Sequence, residues 1–192
     1  MKNFVRWILI GIAMILVSPI ALPAMLERWL GAGQELFTLG AHLVALAPGR
    51  PGVILRTAYY ILTLDAFDPT AMIGFGSFFS QRGARVGRRA GTGQYCVIGM
   101  VDLGPGVRLA SRVSITSGLH QHGSSVALDA PETRSVNLVR VRIGENAWIG
   151  EGATVGCDVG ANSVVGIGAV VTKPVPDGAL AMGNPARLLP KP

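Results

Sequence analysis

Residues 142–171 read RIGENAWIGEGATVGCDVGANSVVGIGAVV, and within them an aliphatic residue leads a new unit at every sixth position. Ile143, Ile149 and Val155 form one series, and Val159, Val165 and Val171 form a second. Four positions after most leads comes a small residue: Ala147, Ala153, Ser163 and Ala169. An amphipathic helix would repeat its apolar positions every three to four residues and a half-buried strand every two, and neither period fits. A six-residue period is that of a solenoid, in which each unit is a short strand and a turn. The lead residue points inward, and glycine or asparagine takes the backbone positions that need positive φ. No unit is stable alone; stacking buries a shared core, and the end coils need caps. Between the two series the segment GCDVG, residues 156–160, is two residues short, which predicts one distorted turn.

The period extends upstream. Val86, Thr92 and Ile98 lead one block and, after a one-residue slip, Leu103, Leu109 and Ile115 lead another, with Ala90, Cys96, Val107 and Val113 in the inward slots. After Ile115 the repeat stops, and it resumes at about Val141. The residues between are too many for a tight turn, and excursions of that length in compact proteins are often functional.

Before residue 73 the texture differs. Trp7 to Leu26 is an apolar run without an ionised side chain, preceded by Lys2 and Arg6 and long enough to cross a bilayer. Pro19 and Pro23 are expected to interrupt it, giving a re-entrant hairpin, with two membrane crossings as the alternative. A secretory signal with ALPA as its cleavage site is the competing reading. ELFTLGAHLVALAP and GVILRTAYYILTLDAF follow as short amphipathic or re-entrant helices, with His42 assigned no chemistry. A hydrophobic content of 49% and a mean hydropathy of +0.45 also point to a chain that sits partly in or on a membrane.

The formal charge of +6 comes from few groups, with Arg82, Arg85, Arg88 and Arg89 close together. Such a cluster suits anionic lipid, the phosphates of a nucleotide-like cofactor, or a plain solvated face. Nucleic acid is not expected, because no aromatics interleave with these arginines. Cys96 and Cys157 have no metal-ligand spacing and read as buried, reduced thiols.

The Ile/Val-Gly-x-x-small-x units, together with NAWIGEGATVG, GIGAVVTKPVP and GNPARLL, resemble the hexapeptide-repeat acyltransferases over residues 73–189. The resemblance implies a mainly β fold, a left-handed parallel β-helix preceded by membrane-associated α-helices. It divides the chain into a helical membrane-association region, 1–72, and an acyltransferase domain, 73–192, with a loop at 118–140 and a C-terminal cap. A looser likeness is to a membrane-associated branch of bacterial surface-polysaccharide biosynthesis.

That resemblance also implies a homotrimer binding acetyl-CoA between neighbouring coils, with a loop histidine taking the proton of an acceptor hydroxyl or amine as it attacks the thioester. A neutral imidazole with an unperturbed pKa near about 6.5 suits this task. His120 and His122 stand at the start of the excursion. A gapless count from Leu109 against the sugar O-acetyltransferases selects His120, and the Gln-His pair of polysaccharide-associated relatives selects Gln121 and His122; both remain candidates, His122 first. Asp129, Glu132, Glu151 or Asp102 could orient the base. No metal is expected, since two imidazoles fall short of the usual three ligands and the third histidine is in the helical segment.

For the cofactor, the resemblance assigns Trp148 beside the groove, Thr172 and Lys173 in contact with CoA, Arg187 near its phosphates, and Gly168 where pantetheine approaches the backbone. Amides of a glycine-rich turn would stabilise the oxyanion. The acceptor-binding asparagine of sugar O-acetyltransferases has no counterpart in GTGQYC, which supplies Gly93, Gln94 and Tyr95. The expected activity is O-acetylation of a sugar in a surface polysaccharide or its lipid-linked precursor. A small soluble acceptor and a non-catalytic trimeric scaffold are the alternatives. The expected partners are a glycan or lipid-linked glycan and membrane lipid, at a bacterial inner membrane with the catalytic domain facing the cytoplasm, where acetyl-CoA is made.

Overall fold

The computed structural model describes residues 2–118 and 138–190. Three helices come first: α1 (Lys2–Trp29), α2 (Glu35–Ala45) and α3 (Gly49–Thr63). The expected break in α1 does not occur, and the helix runs through Pro19 and Pro23. Pro19 lacks the N–H that the Ile15 carbonyl would accept, and the Ser18 hydroxyl donates to that carbonyl instead, at 2.8 Å. A stripe of α1, Ile10, Ala13, Val17, Ala21 and Ala24, is buried at helical spacing, and the helix packs on α3 and α2.

Both ends of α1 are tied to the same short stretch of chain. Near the N-terminus, Arg6 Nη2 donates to the carbonyls of Pro69 and Ala71. Near the C-terminus, Arg28 pairs with Asp65 at 2.9 Å, and buried Glu27 accepts from Arg82 at 2.6 Å. A helix of this length spans about 42 Å, so α1 crosses the end of the coiled region, tied to it near both ends while its length packs on α3 and α2.

α2 and α3 are the layer beneath. Arg56 of α3 is fully buried, and its guanidinium donates to the carbonyls of Val44, Ala45 and Ala47 at the end of α2 and of Ile73 in the first coil. It satisfies carbonyls that a helix C-terminus leaves without partners and bolts the two helices to the coil. Tyr60 stacks edge-on against Phe79 and accepts the Phe79 N–H, while the Gly76 N–H reaches Ala45.

The rest of the chain rotates through three parallel sheets. Sheet one holds β1 (Ala66–Phe67), β3 (Arg85–Val86), β6 (Val101–Leu103) and β9 (Val141–Ile143). Sheet two holds β4 (Gly91–Thr92), β7 (Arg108–Leu109), β10 (Trp148–Ile149), β12 (Val164–Val165) and β14 (Leu180–Met182), with β15 (Arg187–Leu189) antiparallel at its edge. Sheet three holds β2 (Phe78–Phe79), β5 (Val97–Ile98), β8 (Ser114–Ile115), β11 (Thr154–Val155) and β13 (Val170–Val171). The predicted lead residues point inward, nearly all fully buried, in one hydrophobic cluster that continues into the helices. Because turns consume most of each six-residue unit, strands are two or three residues long. With three helices ahead of them, the chain is mixed α/β rather than mainly β.

The corners are unequal. From sheet one to two and from two to three the inward residues are six apart in successive coils, as in Leu103, Leu109 and Ile115 or Ile143, Ile149 and Val155. Each of these corners carries a left-handed residue: Arg89, Gly106, Asn146, Asn162 and Gly178 at the first, and Gly76, Tyr95, Arg112, Gly152 and Gly168 at the second. Two arginines and a tyrosine thus hold positions expected for glycine or asparagine. At the third corner, from sheet three back to one, the spacing varies: Ile98 to Leu103, Ile115 to Ile143, and Val155 to Val159. The slip, the excursion and the contraction therefore all lie on one edge. The contraction recurs between Val171 and Val175, and there sheet one thins to single bridges at Val159 and Val175, the distortion that GCDVG predicted.

Candidate active site

The excursion leaves the third corner after β8 and returns before β9. Its root is closed by a hydrogen bond from the Val139 N–H to the Ser117 carbonyl, 2.9 Å. Gly118 has φ +88°, and a Cβ there would meet Val139. His120, Gln121, His122, Asp129 and Glu132 lie outside the described residues. On the return side Arg140 donates to Asp102 at 2.8 Å and to the Gly83 carbonyl, and it lies 3.6 Å from Asp65. Asp102 is thus paired, and an ionic chain runs from Arg28 through Asp65 and Arg140 to Asp102. Arg140 was not singled out from the sequence; 38 residues separate it from Asp102 and no motif connects them.

The residues assigned to the cofactor fall on different faces of one chain. Trp148 is exposed on sheet two, in register with Arg108 and Val164. Gly168 is at the second corner, with φ +66° and nothing within 4 Å of a built Cβ, and Gly152 on the neighbouring coil is equally open. Thr172 and Lys173 follow β13 at the third corner, and Arg187 begins β15; all three are exposed. Lys173 and Arg187 have no ion pair among the described residues. Glu151 also sits at the second corner, away from the root of the excursion, and meets Arg112 at 3.5 Å in an exposed, weak pair.

The N–H groups of Gly152 and Gly168 donate to the carbonyls of Ser111 and Glu151 in the corner ladder, so these glycines offer space and not free oxyanion donors. Arg82 leaves the basic cluster to bond Glu27 and the Gly33 carbonyl, while Arg85, Arg88 and Arg89 stay exposed on the second coil. Gln94 and Tyr95 stand at the second corner, where the Tyr95 ring packs edge-on against Phe75. Cys96 is fully buried and its thiol is pushed up by desolvation; Cys157 is only partly buried, its thiol raised by desolvation and then by Asp158.

No protein-family model matches the chain. In sequence it is similar to a candidate lipopolysaccharide-biosynthesis O-acetyltransferase of Escherichia coli K12, 34% identical over 100 residues, 47% of this chain and 50% of that protein. The chain spans about half or less of the length of the curated relatives it matches. In structure it is similar to a maltose O-acetyltransferase from Clostridium difficile 630, with TM-score 0.66 and 22% identity over 81% of this chain and 84% of that one. A galactoside acetyltransferase in complex with coenzyme A follows at TM-score 0.64 and 21% identity, covering 81% and 79%. The interleaved parallel sheets and six-residue corners are thus those of a known architecture: the chain has the fold of these two acetyltransferases, and about half of it is similar in sequence to a protein named as an O-acetyltransferase.

Proposed function

We propose that the chain is an acetyl-CoA-dependent O-acetyltransferase acting on a sugar of a surface polysaccharide or its lipid-linked precursor, through a left-handed coil that assembles as a homotrimer. The observation that carries this reading is the placement of the histidine-bearing excursion at the one corner free to vary in length, so that a catalytic loop can leave without disturbing the stacked core. In direct transfer, the imidazole of His122 or His120 takes the hydroxyl proton as the acceptor oxygen attacks the thioester carbonyl. The tetrahedral intermediate then collapses, and the departing CoA sulfur recovers the proton. Because Trp148, Gly168, Lys173 and Arg187 are spread over separate faces, a groove shared between neighbouring copies is the arrangement that can gather them around one CoA. The galactoside acetyltransferase with bound coenzyme A supports that donor.

We place residues 1–72 on the inner membrane and the coil in the cytoplasm. With Arg6 and Arg28 both held by residues 65–71, α1 lies in the membrane plane instead of crossing it. Its outer face, with Trp7, Ile15, Leu16 and Leu22, adjoins α2 residues Leu36, Leu39 and Leu43 across grooves lined by both helices.

CoA release in the presence of lipid-linked glycan is the test. Replacing the base by alanine is expected to lower kcat by about 100-fold or more with KM for acetyl-CoA little changed, and the more damaging of His122→Ala and His120→Ala identifies it. Full rates in both variants would overturn the mechanism, and turnover only on a small soluble acceptor would overturn the substrate.

A further inference from the structure

A cavity of about 440 Å³ lies where α1, α3 and the first coil meet, a size within the range of small-molecule sites. Leu9, Ile10, Val53 and Ile54 form apolar walls, and among the described residues its polar lining is Arg6, Arg50 and Thr57. Thr57 is 1% exposed, and its hydroxyl has no hydrogen-bond partner among the described residues. A buried hydroxyl left unbonded costs about 1–3 kcal/mol, and an apolar chamber does little to hold the water that could relieve it. Neither arginine has a carboxylate partner among the described residues. Arg6 uses Nη2 on the Pro69 and Ala71 carbonyls, leaving Nε and Nη1 unbonded among the described residues, and Arg50 is exposed without an ion pair. Among the described residues no carboxylate lines the chamber. At its mouth Val5 and Leu9 are exposed and belong to the apolar outer surface of α1.

Two guanidinium groups with no carboxylate partner among the described residues, beside a hydrocarbon slot, favour an occupant that carries negative charge, and the slot itself does not suit a free, fully hydrated anion. The combination fits an amphiphile with a phosphate and a long tail. We propose that this cavity binds one lipid phosphate ester, its phosphate between Arg6 and Arg50, its chain along Leu9 and Ile54, and the Thr57 hydroxyl donating to a phosphate or ester oxygen. The inference rests on the helical layer meeting a membrane and not on the transfer chemistry, and binding can be read without acetyl-CoA. The lipid can be a bulk phospholipid or an isoprenyl phosphate of the kind that carries glycans, since both present the same groups.

The full chain is tested by flotation on vesicles of phosphatidylcholine alone, with phosphatidylglycerol, or with an isoprenyl monophosphate. Native mass spectrometry of detergent-solubilised protein counts retained lipid, and inorganic phosphate is the soluble control. One retained phospholipid or isoprenyl phosphate per chain is expected, and preference for one vesicle type names the source. Arg50→Ala should weaken lipid binding by about tenfold or more. Thr57→Val should weaken it about threefold or more while raising the melting temperature of the lipid-free protein, because it removes an unbonded hydroxyl at constant shape; a merely structural threonine would not give that opposed pair of changes. Equal affinity in both variants and wild type, no retained lipid, or equally good binding of inorganic phosphate would overturn the proposal. Flotation that persists without dependence on either residue defeats the cavity alone, whereas failure to float on any vesicle defeats the membrane reading beneath it.

Discussion

Glu27 shows how one side chain can hold three parts of the chain together. It is 6% exposed, near the end of α1, and its two carboxylate oxygens accept the N–H groups of Leu36 and Phe37 while Arg82 donates from the coil. Gln34, at the cap position of α2, makes no side-chain capping bond, so Glu27 supplies from another helix the acceptor that α2 lacks. Burial by itself raises its pKa, but the Leu36, Phe37 and Arg82 donors outweigh that and hold it below its ordinary value of 4.5. A carboxylate depressed in the folded state adds stability above its unfolded pKa and loses it as pH falls through the folded one. Glu27→Gln should therefore cost about 2 kcal/mol near neutrality. The gap in melting temperature between variant and wild type should shrink as pH drops below about 4. A gap that stays constant from neutrality to that acid range would show that the charge of Glu27 contributes nothing.

At the scale of elements, the coil was legible because inward side chains and left-handed corners both impose the six-residue period, and residues such as Ile149 and Asn146 declare it. The helices of α2 and α3 were legible as apolar segments. The continuity of α1 was not, because Pro19 argues for a break and only the neighbouring Ser18 hydroxyl, bonded to Ile15, compensates. The pairing of Asp102 with Arg140 was hidden by the excursion between them. The histidines were singled out by the interruption together with the family resemblance, and they lie outside the described residues, so the choice between them gained nothing from the coil. The excursion is separable on physical grounds: its two roots already meet through Ser117 and Val139, and β8 and β9 are each paired within their own sheets. Replacing residues 119–137 by a short glycine-serine linker should leave the melting temperature within a few degrees, roughly a cost under 1 kcal/mol from changed loop closure. CoA release should vanish. Unfolding of the shortened chain would mean that the excursion packs as part of the core, and retained turnover would remove both histidines from the chemistry.

For the molecule as a whole, the proposed membrane placement and the proposed cytosolic donor meet in the orientation of α1. The run Phe4–Trp29 is long and apolar enough to cross a membrane, but by composition alone, and most of it is exposed. Were it a crossing helix, Arg6 and Arg28 would face opposite surfaces of the bilayer, and the bonds to Pro69, Ala71 and Asp65, a few residues apart, could not coexist. On the proposed interfacial placement the same helix would keep these bonds, bury its aliphatic outer face in lipid and leave both termini on the side where acetyl-CoA is made. Fusing green fluorescent protein to either terminus should give fluorescent membranes, and alkaline phosphatase at either terminus should stay inactive in the cytoplasm. Disrupting the apolar face with Leu16→Glu and Leu39→Glu together should move the chain to the soluble fraction with CoA binding intact. An active phosphatase at the C-terminus would place the coil across the membrane, and would mean that α1 leaves the end of the coil and separates from residues 65–71 on insertion.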